Sequence, residues 1–390
     1  MYIFYFIVSI TFFIYVYNSI ISLFGLKPYR KPDILNIDPT NTFDILIPCH
    51  NEESVIYWTL KYCNNIDYPK DKYNVYVILD NCSDKTEAQV DLFTSYWKTT
   101  NINKIIVNGG SKPKALNKAI SHLKSNEKWN SDNIIILDAD NKISPTLLKS
   151  YNYYHSKYKI LQCRILSDND NNIISKGFAS SFNYMGRTFQ YARNVLKLSA
   201  SLSGTGFSIN RNVWDEIDFT NCCTLTEDLE FSILSILKGY KIKYVPEEYV
   251  LNQNLEELKP SITQRVRWCR GHMQVAVKLD SYILKQFFKK PSLQLFDSFL
   301  FVNNPPKSLI YLIANIGIFI INNNHKLFSN YILLFLIIYN LIIVLISDNF
   351  NIKYIIPHYF YSLCMRYAVI IGSITFKNNK WVKTKHKEIM

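Results

Sequence analysis

Residues 134–143 read IIILDADNKI: four apolar side chains in a row, then two aspartates separated by one alanine. The apolar run has the character of a buried strand. A carboxylate loses several kcal/mol on leaving water unpaired, so Asp138 and Asp140 mark either a solvated strand end or a place built round a cation. In extended chain, residues two apart point the same way, which sets both carboxylates over one small volume. Mg²⁺ or Mn²⁺ takes one or two carboxylates together with phosphate oxygens, so the pair is a candidate metal site. An acidic turn closing a strand is the plainer alternative, and the neighbouring sequence has to decide between them.

Outward from that stretch, strand-like runs recur at 43–48, 75–79, 104–107, 161–165 and 243–245, with helical patterns at 53–63, 86–96 and 114–123. This alternation predicts an α/β domain with a largely parallel sheet over residues 40–250. Ligands of such sheets bind beyond the carboxyl ends of the strands. Polar clusters follow the strands here: PCHNEE after the first, DNCSD after the second, GGSKPKALN after the third and DAD after the fourth.

Three further stretches carry chemistry. In GGSKPKALN (109–117), two glycines permit close backbone approach, Lys112 and Lys114 bring positive charge, and a helix begins near Pro113, an arrangement that favours an anion. In TLTEDLEFSILSILKGY (224–240), Thr226 is positioned to cap a helix with Glu227 and Asp228 in its first turn. One of the two carboxylates can cap or orient while the other takes a proton from an attacking hydroxyl. In QRVRWCRGH (264–272), Gln264, Arg267, Trp268 and Gly271 share one helix face, opposite an apolar face of Val266, Cys269, Met273 and Val277. The first face offers an amide, a guanidinium suited to a diphosphate and an indole on which a sugar ring can stack.

The ends of the chain have a different composition. Residues 2–24 are almost wholly apolar and aromatic, about the length that crosses a ~30 Å hydrocarbon core. Lys27, Arg30 and Lys31 follow, which predicts a retained anchor (1–26) with the α/β domain in the cytoplasm. Residues 251–304 read as amphipathic interfacial helices. Residues 305–376 read as a membrane region with spans at 309–321 and 331–346 and an interfacial or re-entrant segment at 354–376, before a basic cytoplasmic tail (377–390). The expectation is a multi-pass cell-membrane protein in contact with the bilayer. The net charge of +13 lies largely beside these segments, where anionic headgroups attract bases. No nucleic-acid module is present. Eight cysteines occur without a C-x-x-C pair, which excludes a zinc ribbon and predicts reduced thiols.

These residues, in this order, resemble the membrane-bound family 2 glycosyltransferases, the group containing cellulose, hyaluronan, chitin and poly-N-acetylglucosamine synthases. The resemblance implies a GT-A fold, Rossmann-like with a mostly parallel sheet, and inverting transfer from a nucleotide sugar, usually a UDP-sugar. By the same resemblance Asp80 holds the uracil or ribose with Asp84 as a turn residue or helper, and Glu52, Lys112 and Lys114 belong to the nucleotide-sugar site. Asp138 and Asp140 serve Mg²⁺ or Mn²⁺ and the diphosphate. Asp228 matches the general base, with Glu227 beside it. Gln264, Arg267 and Trp268 meet the diphosphate and acceptor, and SGTGF (203–207), with Gly204, Thr205 and Gly206, lines the acceptor site. Asn81 departs from the pattern, standing where many relatives carry a second aspartate, and Ser111 is an extra residue in the lysine loop, leaving open which lysine meets the nucleotide.

The expected function is sugar transfer, of the glucose or N-acetylglucosamine class, to a growing glycan, with accessory membrane subunits as possible partners. Two rivals stand beside it: transfer of one sugar to a lipid-linked acceptor, and a catalytically silent subunit that binds glycan or nucleotide. The intact acidic positions speak against the last.

Overall fold

The fold is seen in a computed structural model that describes residues 2–34, 37–99, 101–217, 219–305, 310, 338, 341–348 and 351–379. The chain forms two compact units. Residues 28–168 and 199–253 make up one; the N-terminal helix, residues 169–198 and the chain after 254 make up the other.

The first unit is built on an eight-stranded sheet in the order β3-β2-β1-β4-β7-β6-β8-β5. Its strands are β1 (Phe43–Cys49), β2 (Tyr73–Asp80), β3 (Ile102–Val107), β4 (Asn133–Ile136), β5 (Lys142–Ile143), β6 (Ile160–Ser167), β7 (Phe207–Asn210) and β8 (Ile242–Asn252). β1 to β4 pair in parallel, with Ile45 of β1 level with Val75 on one side and Ile135 on the other. β7 runs antiparallel to β4 and β6, and β5 antiparallel to β8, so the sheet is mixed but mostly parallel. All residues of β1 but Pro48 are buried, as are all of β4. Strands covered on both faces read as continuous apolar runs, which is why these two are plain in the sequence. β5 and β7, of two and four residues, carry no such signal.

The helices of this unit begin at the ends of the parallel strands. Helix Lys112–Ser125 buries Ala115, Leu116, Ala119, Ile120 and Leu123 along one stripe and leaves Lys114 exposed. Helix Glu227–Leu237 starts at Thr226 as expected, but the Thr226 side chain does not cap it. Its hydroxyl lies buried without a partner among the described residues.

In the second unit, helix Leu258–Lys289 packs on helix Ile355–Ile374 through Val266, Cys269 and Ala368. Gly372 makes the close crossing possible: a Cβ there would lie 2.5 Å from that of Cys269. The apolar face expected of the longer helix holds at its start only. Its buried stripe runs on through Val275, Ala276, Leu279 and Ile283, leaving Val277 two-thirds exposed, while Gly271, expected on the ligand face, is buried. Arg193 grips Asp297 through two hydrogen bonds of 2.7 and 2.9 Å, and Tyr17 of helix Tyr2–Leu23 donates to the same carboxylate. Among the described residues no helix is long and apolar enough to cross a membrane, so the anchor expected at 1–26 finds no support there. The spans expected at 309–321 and 331–346 and the basic tail fall largely outside the described residues.

Candidate active site

β4 stops at Ile136 and the chain turns at Ala139–Asp140. The two aspartates are therefore not on extended chain, and the expectation that they point the same way for that reason is corrected. Asp138 keeps a side chain 39% exposed, whereas Asp140 is buried and accepts from Asn141 Nδ2 at 3.1 Å. Thr205 braces the turn: its hydroxyl accepts the Asp138 amide at 3.0 Å and donates to Asn141 Oδ1. Thr59 donates to the Ala139 carbonyl at 2.6 Å from the other side.

Lys112, the first residue of its helix, reaches this turn. Its ammonium donates to Asp138 Oδ1 and to the Gly204 carbonyl, both at 2.6 Å. Burial pulls the Lys112 pKa down, but the charges of Asp138, Glu227 and Asp228 outweigh that effect and the net shift is upward. This lysine thus pairs with Asp138 and lies within the electrostatic reach of Glu227 and Asp228. Lys114 is exposed on the same helix.

Gly204 adopts φ +79°, and a Cβ on it would lie 3.5 Å from Asp228 Oδ2, so the loop and that carboxylate are neighbours. Asp228 Oδ1 accepts the Leu229 amide at 2.8 Å. This carboxylate both closes the helix end and turns one oxygen towards the glycine loop. Glu230, which the sequence did not single out, is fully buried and takes the Cys223 and Thr224 amides at 3.0 Å each, fixing the approach to the helix. Of SGTGF, Thr205 and Gly206 are buried and Gly204 is part-exposed. Gln162 holds this loop by accepting from Ser203 N and donating to Thr205 O.

At the end of β2, Asp80 accepts from the amides of Gly109 and Gly110, at 2.6 and 3.0–3.1 Å, and from Asn81 Nδ2 at 2.8 Å. It therefore shapes the glycine loop that precedes Lys112. Asp84 accepts from the Thr86 and Glu53 amides, as a turn residue would. A cavity of about 390 Å³ lies beside Asp80, lined by Asn81, Cys82, Glu87, Ile106 and Asn108 among others. The Cys49 thiol at the end of β1 is pushed well above its usual range, first by burial and then by the charges of Glu52, Cys82, Asp138 and Asp84. Glu52 thus belongs to the same acidic end of the sheet.

A divalent cation suits these oxygens in one way only. Among the described residues no group of three or more Asp, Glu, His or Cys side chains gathers to hold one. The Lys112 ammonium shows that Asp138 Oδ1 attracts a cation. The residues fit a Mg²⁺ or Mn²⁺ that takes one or two carboxylates here and completes its shell with phosphate oxygens.

In the other unit, Gln264, Arg267 and Trp268 lie half-buried on helix Leu258–Lys289. Trp268 packs against Phe178 and Phe182, with ring centroids 5.8 and 6.3 Å away, and Gln264 Oε1 is buried without a partner among the described residues. Arg265, read over in the sequence, is buried with its guanidinium 4.2 Å from the Tyr361 ring centre and 5.4 Å from that of Phe178. Its place beside Val266 on the packed face was readable from the helical period.

Residues 39–271 match the family described as Glycosyltransferase like family 2, and the chain belongs to that family. It is 30% identical over 297 residues to the probable glycosyltransferase YdaM of Bacillus subtilis, covering 71% of this chain and 66% of that one. It is 25% identical to the beta-monoglucosyldiacylglycerol synthase of Synechocystis over 65% of this chain and 53% of that one. It is 23% identical to the poly-beta-1,6-N-acetyl-D-glucosamine synthase of Staphylococcus aureus over 73% and 65%. The chain thus spans between half and two-thirds of these relatives' lengths. Among solved structures, the mannosyltransferase PcManGT of Pyrobaculum calidifontis, in complex with GDP-Man and Mn²⁺, superposes with a TM-score of 0.63 at 14% identity, over 96% of this chain and all of that one. That likeness shows the shared GT-A-like fold.

Proposed function

We propose that this protein is a membrane-anchored, metal-dependent, inverting glycosyltransferase that moves a glucose- or N-acetylglucosamine-class sugar from a UDP-sugar to a growing glycan. The observation that carries the reading is that Lys112, bound to Asp138 Oδ1 and to the carbonyl of Gly204, whose loop neighbours Asp228, stands beyond the carboxyl ends of the parallel strands. A diphosphate needs positive charge, and an acceptor hydroxyl needs a base; both chemistries meet here. Mg²⁺ or Mn²⁺, when bound, neutralises charge developing on the leaving diphosphate. Asp138 and Asp140 are assigned to hold it. Asp80, Glu52 and the Gly109–Gly110 backbone take the nucleoside end of the donor. Asp228 takes the proton of the acceptor hydroxyl as its oxygen bonds to the anomeric carbon, on the face opposite the departing nucleoside diphosphate. Gln264, Arg267 and Trp268 are assigned to the diphosphate and acceptor. In the cell, the sheet unit would face the cytoplasm, where nucleotide sugars are made.

A second reading, transfer of one sugar to a lipid, is favoured by the likeness to beta-monoglucosyldiacylglycerol synthase. The test is to incubate membranes containing the protein with radiolabelled UDP-glucose, UDP-N-acetylglucosamine or GDP-mannose, with and without EDTA. Label in an ethanol-insoluble polymer supports the first reading, and label in the organic phase supports the second. Label in neither fraction with any donor would overturn both.

A further inference from the structure

Lys112 sits on the very oxygen that a donor-bound metal would take. Its ammonium is 2.6 Å from Asp138 Oδ1 and 2.6 Å from the Gly204 carbonyl, and a Cβ on Gly204 would lie 3.5 Å from Asp228 Oδ2. The side chain is anchored at the first position of its helix, with Ser111 between it and the Gly109–Gly110 pair that Asp80 holds. A divalent cation on the same carboxylate would stand close to the ammonium, and at such short range their like charges repel strongly. We propose that Lys112 is an exchangeable counter-ion of the acidic turn, competing with the divalent cation for Asp138 and moving onto the donor's diphosphate as the donor binds.

This rests on the proposed use of a nucleotide diphosphate donor. It assigns Lys112 more than phosphate binding: it becomes the positioning residue that makes metal and nucleotide bind together. Metal alone must displace the ammonium. Metal arriving with a diphosphate gives the ammonium a new anionic partner. Linkage then requires that each ligand strengthen the other. The tie to Gly204 adds a consequence. Releasing Lys112 from that carbonyl frees the loop beside Asp228, so donor binding also unlocks the neighbourhood of the candidate base.

The experiment uses the full chain in detergent, with Mn²⁺ binding read by the EPR signal of free Mn²⁺. Without nucleotide, Lys112→Met is expected to bind Mn²⁺ about tenfold more tightly than the unaltered protein, and Lys112→Arg to bind like the unaltered protein. Addition of UDP is expected to tighten Mn²⁺ in both proteins, because the diphosphate itself supplies ligands to the metal, but about tenfold more in the unaltered protein than in Lys112→Met. Equal Mn²⁺ affinity in Lys112→Met and the unaltered protein would overturn the proposal. A second measurement needs no variant: amine acylation followed by mass spectrometry should modify Lys112 several times faster in Mn²⁺ than in EDTA, and an unchanged rate overturns the proposal equally. If UDP, GDP and ADP all fail to bind the unaltered protein, the donor reading fails, while the nucleotide-free Mn²⁺ and acylation results still decide the role of Lys112.

Discussion

The hydroxyl of Thr205 holds Asp138 by its backbone, accepting the aspartate's amide at 3.0 Å while donating to Asn141 Oδ1 on the other side of the turn. The residue expected to line an acceptor site is thus a buried brace for the acidic turn. Thr205→Val keeps the shape and removes both bonds, leaving a buried amide and a buried carbonyl oxygen unsatisfied. The expected loss is about 1–3 kcal/mol of stability, with a higher Mn²⁺ requirement as the turn loosens. Unchanged melting together with a raised KM for acceptor alone would return Thr205 to the acceptor site.

Asp228→Asn separates capping from catalysis. The amide oxygen of asparagine can still accept from Leu229 N, so the helix end should survive, but no proton can be taken up. Transfer is expected to fall by about 10²–10⁴ with nucleotide binding nearly intact by calorimetry. Near-normal turnover would mean that the carboxylate serves the helix end only.

The fold was legible where burial on both faces writes an unbroken apolar run, as in β1 and β4, and where helices show a clean stripe, as in Lys112–Ser125. It was not legible in β5 and β7, which are held by neighbours distant in sequence and are too short to carry a period. The site followed the same division. Residue types named Asp138, Lys112 and Asp228, but only three-dimensional contact shows Lys112 rather than Lys114 reaching Asp138. Gln162 and Glu230 were invisible because each serves a backbone that only the folded chain brings near. The argument that Asp138 and Asp140 point the same way over one small volume failed in its premise, because it assumed extended chain through Asp140, where the backbone turns.

Gly206 and Gly110 both sit at positive φ, yet they should respond differently to alanine. At Gly206, φ is +63° and a Cβ would meet Cys163 Sγ at 2.7 Å and Val250 Cγ1 at 2.9 Å, both on packed strands. Gly206→Ala therefore combines backbone strain with overpacking, at an expected cost of about 2–4 kcal/mol. At Gly110, φ is +74° but nothing lies within 4 Å, so Gly110→Ala should cost about 1 kcal/mol. Thermal melts of the two variants decide the matter. Equal losses would mean that the space around Gly206 relaxes freely.

Asp44 makes its own contribution to the pH dependence of the sheet unit. It lies at the start of β1, 1% exposed, with Oδ1 accepting from Asn74 Nδ2 at 3.1 Å and Ser131 Oγ at 2.9 Å. Its Oδ2 is buried without a partner among the described residues. Burial pushes its pKa up from 3.8 to about 6, against the opposing pull of Asn74, Ser131 and Arg211. The folded value lies above the unfolded one, so between them the folded chain holds a proton that the unfolded chain has lost. Stability from this group is complete below the unfolded value and disappears as pH rises through about 6. A shift of this size corresponds to about 3 kcal/mol. Asp44→Asn cannot ionise, so its stability relative to the unaltered protein should rise across that window and level off above it. Melting temperatures of both proteins from about pH 3 to about pH 7, a range set by roughly one unit either side of the window, give the difference directly. A difference that stays flat with pH would show that Asp44 titrates alike in the folded and unfolded chain.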